Sequence, residues 1–376
     1  MSGGGRVRVV VAPDSFKGTI EAADAAAALA AGWRSVRAAD EVCCLPMADG
    51  GEGTLAAVVS ASPGAELVEV PDVTGPDGRP VPGRFALLPD GTAVVELAVA
   101  SGLPLLGGEL CPLTATTRGT GETVAAALAA RPVRLLIGLG GSASTDGGFG
   151  LLSALGARLL DEDGNRLSDV PSDLDLSLGV AASVDLSALP PAPPGGVFLL
   201  TDVTNPLLGE RGAAAVYGPQ KGAGARELPL LEERLTRLAA LLGGDPAVPG
   251  SGAAGGTGYG LIAAWGAVVE PGAVAVAELL GLLGALAPAD LLITGEGRFD
   301  ATSLQGKAVG EVVRIAAAVG VRSAVVAGES AVSGPEVLTL SALAGSSAAA
   351  RAEPGRWLFR AGAELAERQK VDGPTG

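Results

Sequence analysis

The chain of 376 residues contains no histidine. That excludes Ser-His-Asp and Cys-His nucleophilic catalysis and any histidine-ligated metal, and leaves proton transfer to carboxylates, lysine or tyrosine. Cysteine is scarce as well. Cys43 and Cys44 are adjacent and Cys111 stands apart, so neither a disulfide framework nor a paired-thiolate zinc site is on offer, which fits a reducing cytoplasm. Aromatics make up only 3% of the chain, so the core must be packed from Ala, Val and Leu. Positive charge is short: 26 basic residues face 41 acidic ones, a net charge of -15, which offers no electrostatic footprint to nucleic acid or an anionic lipid surface. Long apolar runs are missing too. The opening MSGGGRVRVVVAPDS lacks the h-region of a signal peptide, and the uncharged stretch 246–269 is interrupted by Gly and Pro. These absences lead us to expect a cytoplasmic protein, monomer or homodimer, with small-molecule partners and neither membrane nor nucleic acid.

What is abundant is glycine, 58 residues, about twice the usual share and without a collagen period. Short apolar runs alternate with Ala-rich helical windows throughout, the pattern of an α/β protein with mainly parallel strands. Strands are expected at 7–12, 41–46, 65–70, 92–97, 134–137, 197–201, 291–294 and 323–327, and helices at 21–37, 54–62, 121–130, 149–160 and 309–319. The Pro/Gly run TGPDGRPVPG at 74–83 reads as a domain boundary. The last quarter resembles the first more than the middle, so we expect a discontinuous domain of residues 1–78 plus 289–376, interrupted by an α/β domain at 79–288. At about 150 residues per domain the length suits two such units.

Four outer strands are each expected to end in a small polar or Gly cluster: Asp14-Ser15-Phe16-Lys17-Gly18, the run Asp49-Gly50-Gly51-Glu52-Gly53-Thr54, then Gly295-Glu296-Gly297-Arg298, and Gly328-Glu329-Ser330. In an open parallel sheet ligands bind beyond the carboxyl ends of strands, where Gly-rich turns and helix N-termini aim N–H groups at anions. The middle region adds GLGGSASTDGG (138–148) and TDVTNPLLG (201–209). If both domains turn their strand ends inward, the site is an interdomain cleft.

Only four of the basic residues are lysines, and Lys17, Lys221 and Lys307, unlike Lys370, each abut a glycine. A compact ammonium serves a phosphate as a point charge where a guanidinium fork would not fit. No Walker-type loop occurs, since the approach to Gly306-Lys307 has Ala301 where its first glycine belongs. Gly138, Gly140 and Ala143 mimic a dinucleotide fingerprint, but Asp146 and its two following glycines weaken the helix that should open there. Phosphoryl transfer needs a divalent cation held by one or two carboxylates, donors around the phosphates and a base for the acceptor hydroxyl; Asp14, Asp49, Asp146, Asp202, Glu296 and Asp300 supply candidates.

The strings VVVAPDSFKGTIEAADAAAALAAGW (9–33), PMADGGEGT (46–54), TTRGTGE (116–122), IGLGGSASTDGGFGLLSALGA (137–157), DVTNPLLGERGAAAVYGPQKGA (202–223), PGSGAAGGTGYG (249–260) and ITGEGRFDATSLQGKAVG (293–310) together resemble the type-1 glycerate kinase family, in order and over most of the chain. Cys111 stands where the family usually has Asp or Asn, and the family's aromatic or basic residue in the TTRGTGE block is Arg118 here. The resemblance implies a flavodoxin-like domain with a second α/β domain inserted, and ATP-dependent phosphorylation of D-glycerate, usually at the 2-hydroxyl. The residue roles come from the clusters themselves. Ser15, Lys17, Gly50, Gly51, Gly53, Thr54, Gly295, Gly297 and Lys307 are expected around the triphosphate, with Asp49 and Glu296 on Mg²⁺. Arg118, Ser142, Lys221 and Arg298 are expected on glycerate. Asp202, then Asp146, is expected to orient or deprotonate the hydroxyl, with Lys17 on the transferring phosphoryl group. A nicotinamide-dependent dehydrogenase using the 138–148 loop and a non-catalytic small-anion-binding protein are the alternatives.

Overall fold

The structure, a computed structural model, describes residues 6–304, 307–332 and 336–371. Gln305 and Gly306 of the Gln-Gly-Lys run lie outside the described residues. Contacts divide the chain into two compact units: Met1–Asp49, Ala56–Pro63 and Ala273–Gly376 form the first, and Gly50–Leu55 with Gly64–Gly272 the second.

The first unit carries β1 (Arg8–Val11), β2 (Glu41–Cys44), β11 (Leu291–Phe299), β12 (Arg322–Ser330) and β13 (Val337–Thr339), numbered along the whole chain. They form one parallel sheet in the order β13-β12-β11-β1-β2. Counted within the unit this is 2-1-3-4-5, the doubly wound flavodoxin-like order, whose strand direction of winding switches between β1 and β11. Val9, Val11, Ile293 and Val326 on the sheet pack against Leu29 and Trp33 of the helix Ala22–Val36 and Leu358 and Leu365 of the helix Pro354–Val371. Those two helices approach so closely that a methyl group on Gly32 would lie 1.9 Å from the Phe359 carbonyl oxygen, and one on Gly362 2.1 Å from that of Leu29.

In the second unit lie β3 (Glu66–Thr74), β4 (Pro80–Leu87), β5 (Thr92–Glu96), β6 (Arg134–Gly138), β9 (Val197–Leu200) and β10 (Val268–Glu270), in the order β10-β9-β6-β5-β4-β3, with β7 (Arg158–Leu160) and β8 (Ser183–Asp185) as a separate pair. The run from β10 to β5 is parallel, whereas β5-β4-β3 is antiparallel. The Pro/Gly run read as a domain boundary is instead a hairpin turn: the Gly75 amide donates to the Arg79 carbonyl and the Gly78 amide to that of Gly75. By these pairings residues 64–78, expected with the outer region, belong to the second unit. The expected helix 149–160 stops at Ala154, because Gly156 turns the chain at φ +111° into β7.

A second difference concerns where strands end. β11 and β12 were expected to stop at Thr294 and Ala327, yet both continue through their Gly clusters, with Gly295 opposite Val326, Glu296 opposite Ala327 and Arg298 opposite Glu329. Glycine here reflects strand spacing: a methyl group on Gly295 would sit 2.0 Å from the Val326 carbonyl oxygen.

Candidate active site

At the switch between β1 and β11 the first unit opens a cavity of about 350 Å³. The exit of β1 is tied to β11, since the Asp14 amide donates to the Gly295 carbonyl at 2.8 Å. Asp14 then accepts from the Ser15 amide at 2.6 Å. A tight turn follows, in which the Thr19 amide donates to the Phe16 carbonyl. Buried Phe16 anchors this turn and leaves Lys17 exposed. On β11 the pleat puts Glu296 and Arg298 on one face, and both line the cavity with Asp14, Ser15, Lys17, Asp49, Gly297 and Lys307.

The electrostatics of this pocket are unusual. Burial raises the Asp14 carboxyl to about 7; the carboxylates of Asp49 and Glu296 add to the shift, and Lys17 and the Ser15 amide oppose it. Burial also raises Glu296, against its hydrogen bond from Ser303 and the nearby ammonium groups of Lys307 and Lys17. One Glu296 oxygen, Oε1, is buried with no hydrogen-bond partner. Arg298 pairs with Asp300 at 3.6 Å. An orphaned carboxylate oxygen in a pocket that Asp14 and Asp49 also line suits a hard cation that takes oxygen ligands. Among the described residues no three metal-ligating side chains form a full cage, so such a cation would complete its shell with water and phosphate, as Mg²⁺ commonly does.

The acid pair also sets a pH dependence. An Asp whose folded pKa is raised holds its proton more tightly in the folded state, so its contribution is fully present below the unfolded value of 3.8 and is lost as pH climbs towards 7. Asp14→Asn is therefore expected to raise the stability of the metal-free protein at pH 8 by about 1 kcal/mol or more and to leave it little changed near pH 4. Thermal melts at the two pH values check this; equal shifts at both would refute the electrostatic account.

The second unit holds its own cavity of about 290 Å³, lined among others by Gly141, Ser142, Thr201, Tyr217, Lys221 and Ala254. Ala254 sits at φ +51° and ψ +44°, a left-handed conformation costly for a residue with a β-carbon. Lys221 is 2% exposed. Its Nζ donates to Ser142 Oγ at 2.7 Å and to the Ser144 carbonyl, and burial lowers it to about 7, opposed by Asp146.

The sequence profile described as the glycerate kinase family matches residues 9–369. The chain belongs to the glycerate kinase family. A glycerate kinase of Bacillus subtilis (strain 168) is 42% identical over 309 residues, spanning 80% of this chain and 79% of its own. A glycerate 2-kinase of Escherichia coli (strain K12) is 40% identical over 309 residues, 80% of each chain. A crystal structure of a candidate glycerate kinase 2 from Salmonella typhimurium LT2 superimposes with a TM-score of 0.83 at 35% identity, covering 98% of this chain and 99% of that one. The protein is thus an enzyme, a kinase that phosphorylates glycerate at the expense of ATP.

Other residues singled out in the sequence occupy different settings in the kinase. Gly50 and Gly51 face the 138–141 loop: methyl groups on Gly138 and Gly140 would meet the Gly50 carbonyl oxygen at 2.8 Å and the Gly51 Cα at 2.3 Å. A β-carbon on Gly138 or Gly140 would collide with that backbone, so the approach of the two segments itself requires glycine there. The amides of Gly53 and Leu55 donate to Glu96 at 3.1 and 2.9 Å, and Thr54 Oγ1 donates to the Gly51 carbonyl. The start of the helix Thr54–Ala61 is therefore already held by a carboxylate. Arg118 pairs with Glu122 and Asp169 and is not among the residues lining the second cavity. Asp202, exposed, accepts the Gly272 amide at 3.0 Å and is likewise outside that lining.

Asp146 is 2% exposed and accepts from the Thr117 amide and hydroxyl and from the amides of Gly148 and Gly150. Three of these donors meet Oδ2 and one meets Oδ1, so the carboxylate ties the start of the helix Arg118–Ala129 to the 146–150 turn. Sequence reasoning missed Glu96, although a lone carboxylate closing the apolar run Thr92–Glu96 was a signal. It also missed Arg351, which lines the first cavity and pairs with Glu329 at 3.6 Å; a lone cation in the Ala-rich helix Ser347–Ala352 was the clue. Among the described residues no helix is long and apolar enough to cross a membrane.

Proposed function

We propose that this kinase transfers the γ-phosphoryl group of Mg-ATP to the 2-hydroxyl of D-glycerate in the cytoplasm, giving 2-phospho-D-glycerate and ADP. The 2-position is supported by the Escherichia coli relative named a glycerate 2-kinase. The observation that carries the reading is the cavity at the β1/β11 switch, where two lysines line a pocket that also contains Asp14, Asp49 and a Glu296 oxygen without a partner.

In this reading Lys17 and Lys307 neutralise the triphosphate as point charges, joined by Ser15, the Gly297 backbone and Arg298. Asp49 and Glu296 would hold Mg²⁺, which when bound shields charge on the transferring phosphoryl group. Glycerate occupies the second unit's cavity, which Ser142, Lys221 and Glu52 line, while Glu96 holds the 50–55 segment by accepting the Gly53 and Leu55 amides. Arg118 and Asp146 serve the frame of that unit through their ion pairs and hydrogen bonds.

A coupled ADP-release assay with Mg-ATP and D-glycerate, followed by phosphorus NMR, tests the proposal. Glycerate-dependent ADP release with the resonance of 2-phosphoglycerate is expected. The 3-phosphoglycerate resonance would overturn the regiochemistry, and folded protein that releases no ADP would overturn the substrate.

A further inference from the structure

We propose that Lys221 is the proton acceptor of the reaction: its Nζ, held between Ser142 Oγ and the Ser144 carbonyl, takes the hydroxyl proton of a glycerate seated in the second unit's cavity. This rests on the reading that glycerate occupies that cavity.

Lys221 closes the short turn Pro219–Lys221, and Gly222 at φ +94° then takes the chain away, so the side chain enters the interior. Its ammonium form would carry three donors and no acceptor, its neutral form two donors and one lone pair. The protein supplies two acceptors, Ser142 Oγ and the Ser144 carbonyl. Among the described residues no carboxylate forms an ion pair with Nζ. The surroundings thus match the neutral amine, both N–H groups satisfied and the lone pair left for a proton. Burial acts in the same direction, bringing the group to about 7, the range in which a general base is most effective.

The ionisable neighbours come from four elements. Asp146, on the loop after β6, favours the ammonium, but its oxygens are occupied by Thr117, Gly148 and Gly150. Glu52 of the 50–55 segment and Tyr217 of the helix Ala213–Tyr217 line the same cavity. Arg234 of the helix Glu227–Leu242 reaches the Thr145 carbonyl at 3.5 Å. Asp202 is the rival acceptor, but its Oδ1 faces the Gly272 amide.

In the step, the substrate O–H bond breaks as an N–H bond forms on Lys221. The oxygen bonds to the γ-phosphorus while the bond from that phosphorus to the β,γ-bridging oxygen breaks, and ADP leaves with that electron pair. The resulting ammonium returns its proton to solvent before the next turnover.

The test is the pH profile of kcat for the full chain with saturating Mg-ATP and D-glycerate, together with calorimetric glycerate binding. Wild-type kcat is expected to fall below about pH 7 and level off above it. Lys221→Met should lose about 10²–10⁴-fold in kcat, lack that limb, bind glycerate within a few-fold, and regain activity with added primary amines in order of their basicity. Ser142→Ala should move the limb with a smaller loss. A limb that survives in Lys221→Met or disappears in Asp202→Asn would overturn the assignment, as would kcat/KM falling above about pH 7 because a charged Lys221 anchors the carboxylate. Thr201→Leu fills the cavity: unchanged glycerate affinity would overturn the seat itself, whereas weakened affinity with an intact limb in Lys221→Met would overturn only the base.

Discussion

Lys17→Met is expected to lower kcat by about 10²–10³-fold, the usual consequence of deleting one preorganised charge donor to a transferring group. The side chain lies at the mouth of the turn after β1, exposed and lining the cavity with Asp14, Asp49 and Glu296. In the free protein its work is electrostatic: it favours ionised Asp14 and Glu296, and among the described residues it forms no ion pair. Folding should therefore hardly notice the change, within about 0.5 kcal/mol for a surface substitution of this kind. Lys17→Arg should recover only part of the rate, because a planar fork does not replace a compact ammonium in a crowded phosphate site. Steady-state kinetics at saturating Mg-ATP, paired with thermal melts, check both variants. A rate within about threefold of wild type for Lys17→Met would remove Lys17 from the chemistry.

The place of Lys17 at a cavity was legible because lysine is so rare in this chain that three glycine-flanked examples stood out. The three fare differently. Lys17 and Lys307 line one cavity, whereas Lys221 is buried in another with its Nζ on two neutral oxygens. The apolar runs of β1, β6, β9 and β11 were legible too, since strands buried on both faces read as continuous hydrophobic stretches. The ends of β11 and β12 were not. A glycine required because a neighbouring strand's carbonyl lies 2.0 Å from its would-be methyl looks, in one dimension, like a glycine that makes a turn. The same ambiguity covers Gly50 and Gly51, whose partners Gly138 and Gly140 lie almost 90 positions away. The far end of β3, expected only to Val70, and the whole of antiparallel β4 escaped for a related reason: a turn and a domain boundary draw on the same residues, and only pairing distinguishes Gly75-Pro76-Asp77-Gly78 as a hairpin.

Asp146 is the sharpest case, and the substitution Asp146→Asn separates its two possible roles. A carboxylate in a Gly-rich loop after a strand is what a catalytic base looks like in sequence. In the fold it is an anchor: its two oxygens gather the Thr117 amide and hydroxyl with the amides of Gly148 and Gly150, joining the start of the helix Arg118–Ala129 to the 146–150 turn. Asparagine keeps the shape but turns one oxygen into an NH₂ facing donors, so at least one buried N–H or O–H loses its acceptor while a new donor finds none. Each unsatisfied group costs about 1–3 kcal/mol and more where a charge-assisted bond is lost, so Asp146→Asn should destabilise by about 2–5 kcal/mol. The activity that survives, divided by the folded fraction, should stay near wild type at low temperature, with no new limb in the pH profile. Denaturant melts and kinetics on the same preparation measure both quantities. Intact stability with a collapsed kcat would return Asp146 to the chemistry and would mean that its four hydrogen bonds are exchanged for substrate during turnover.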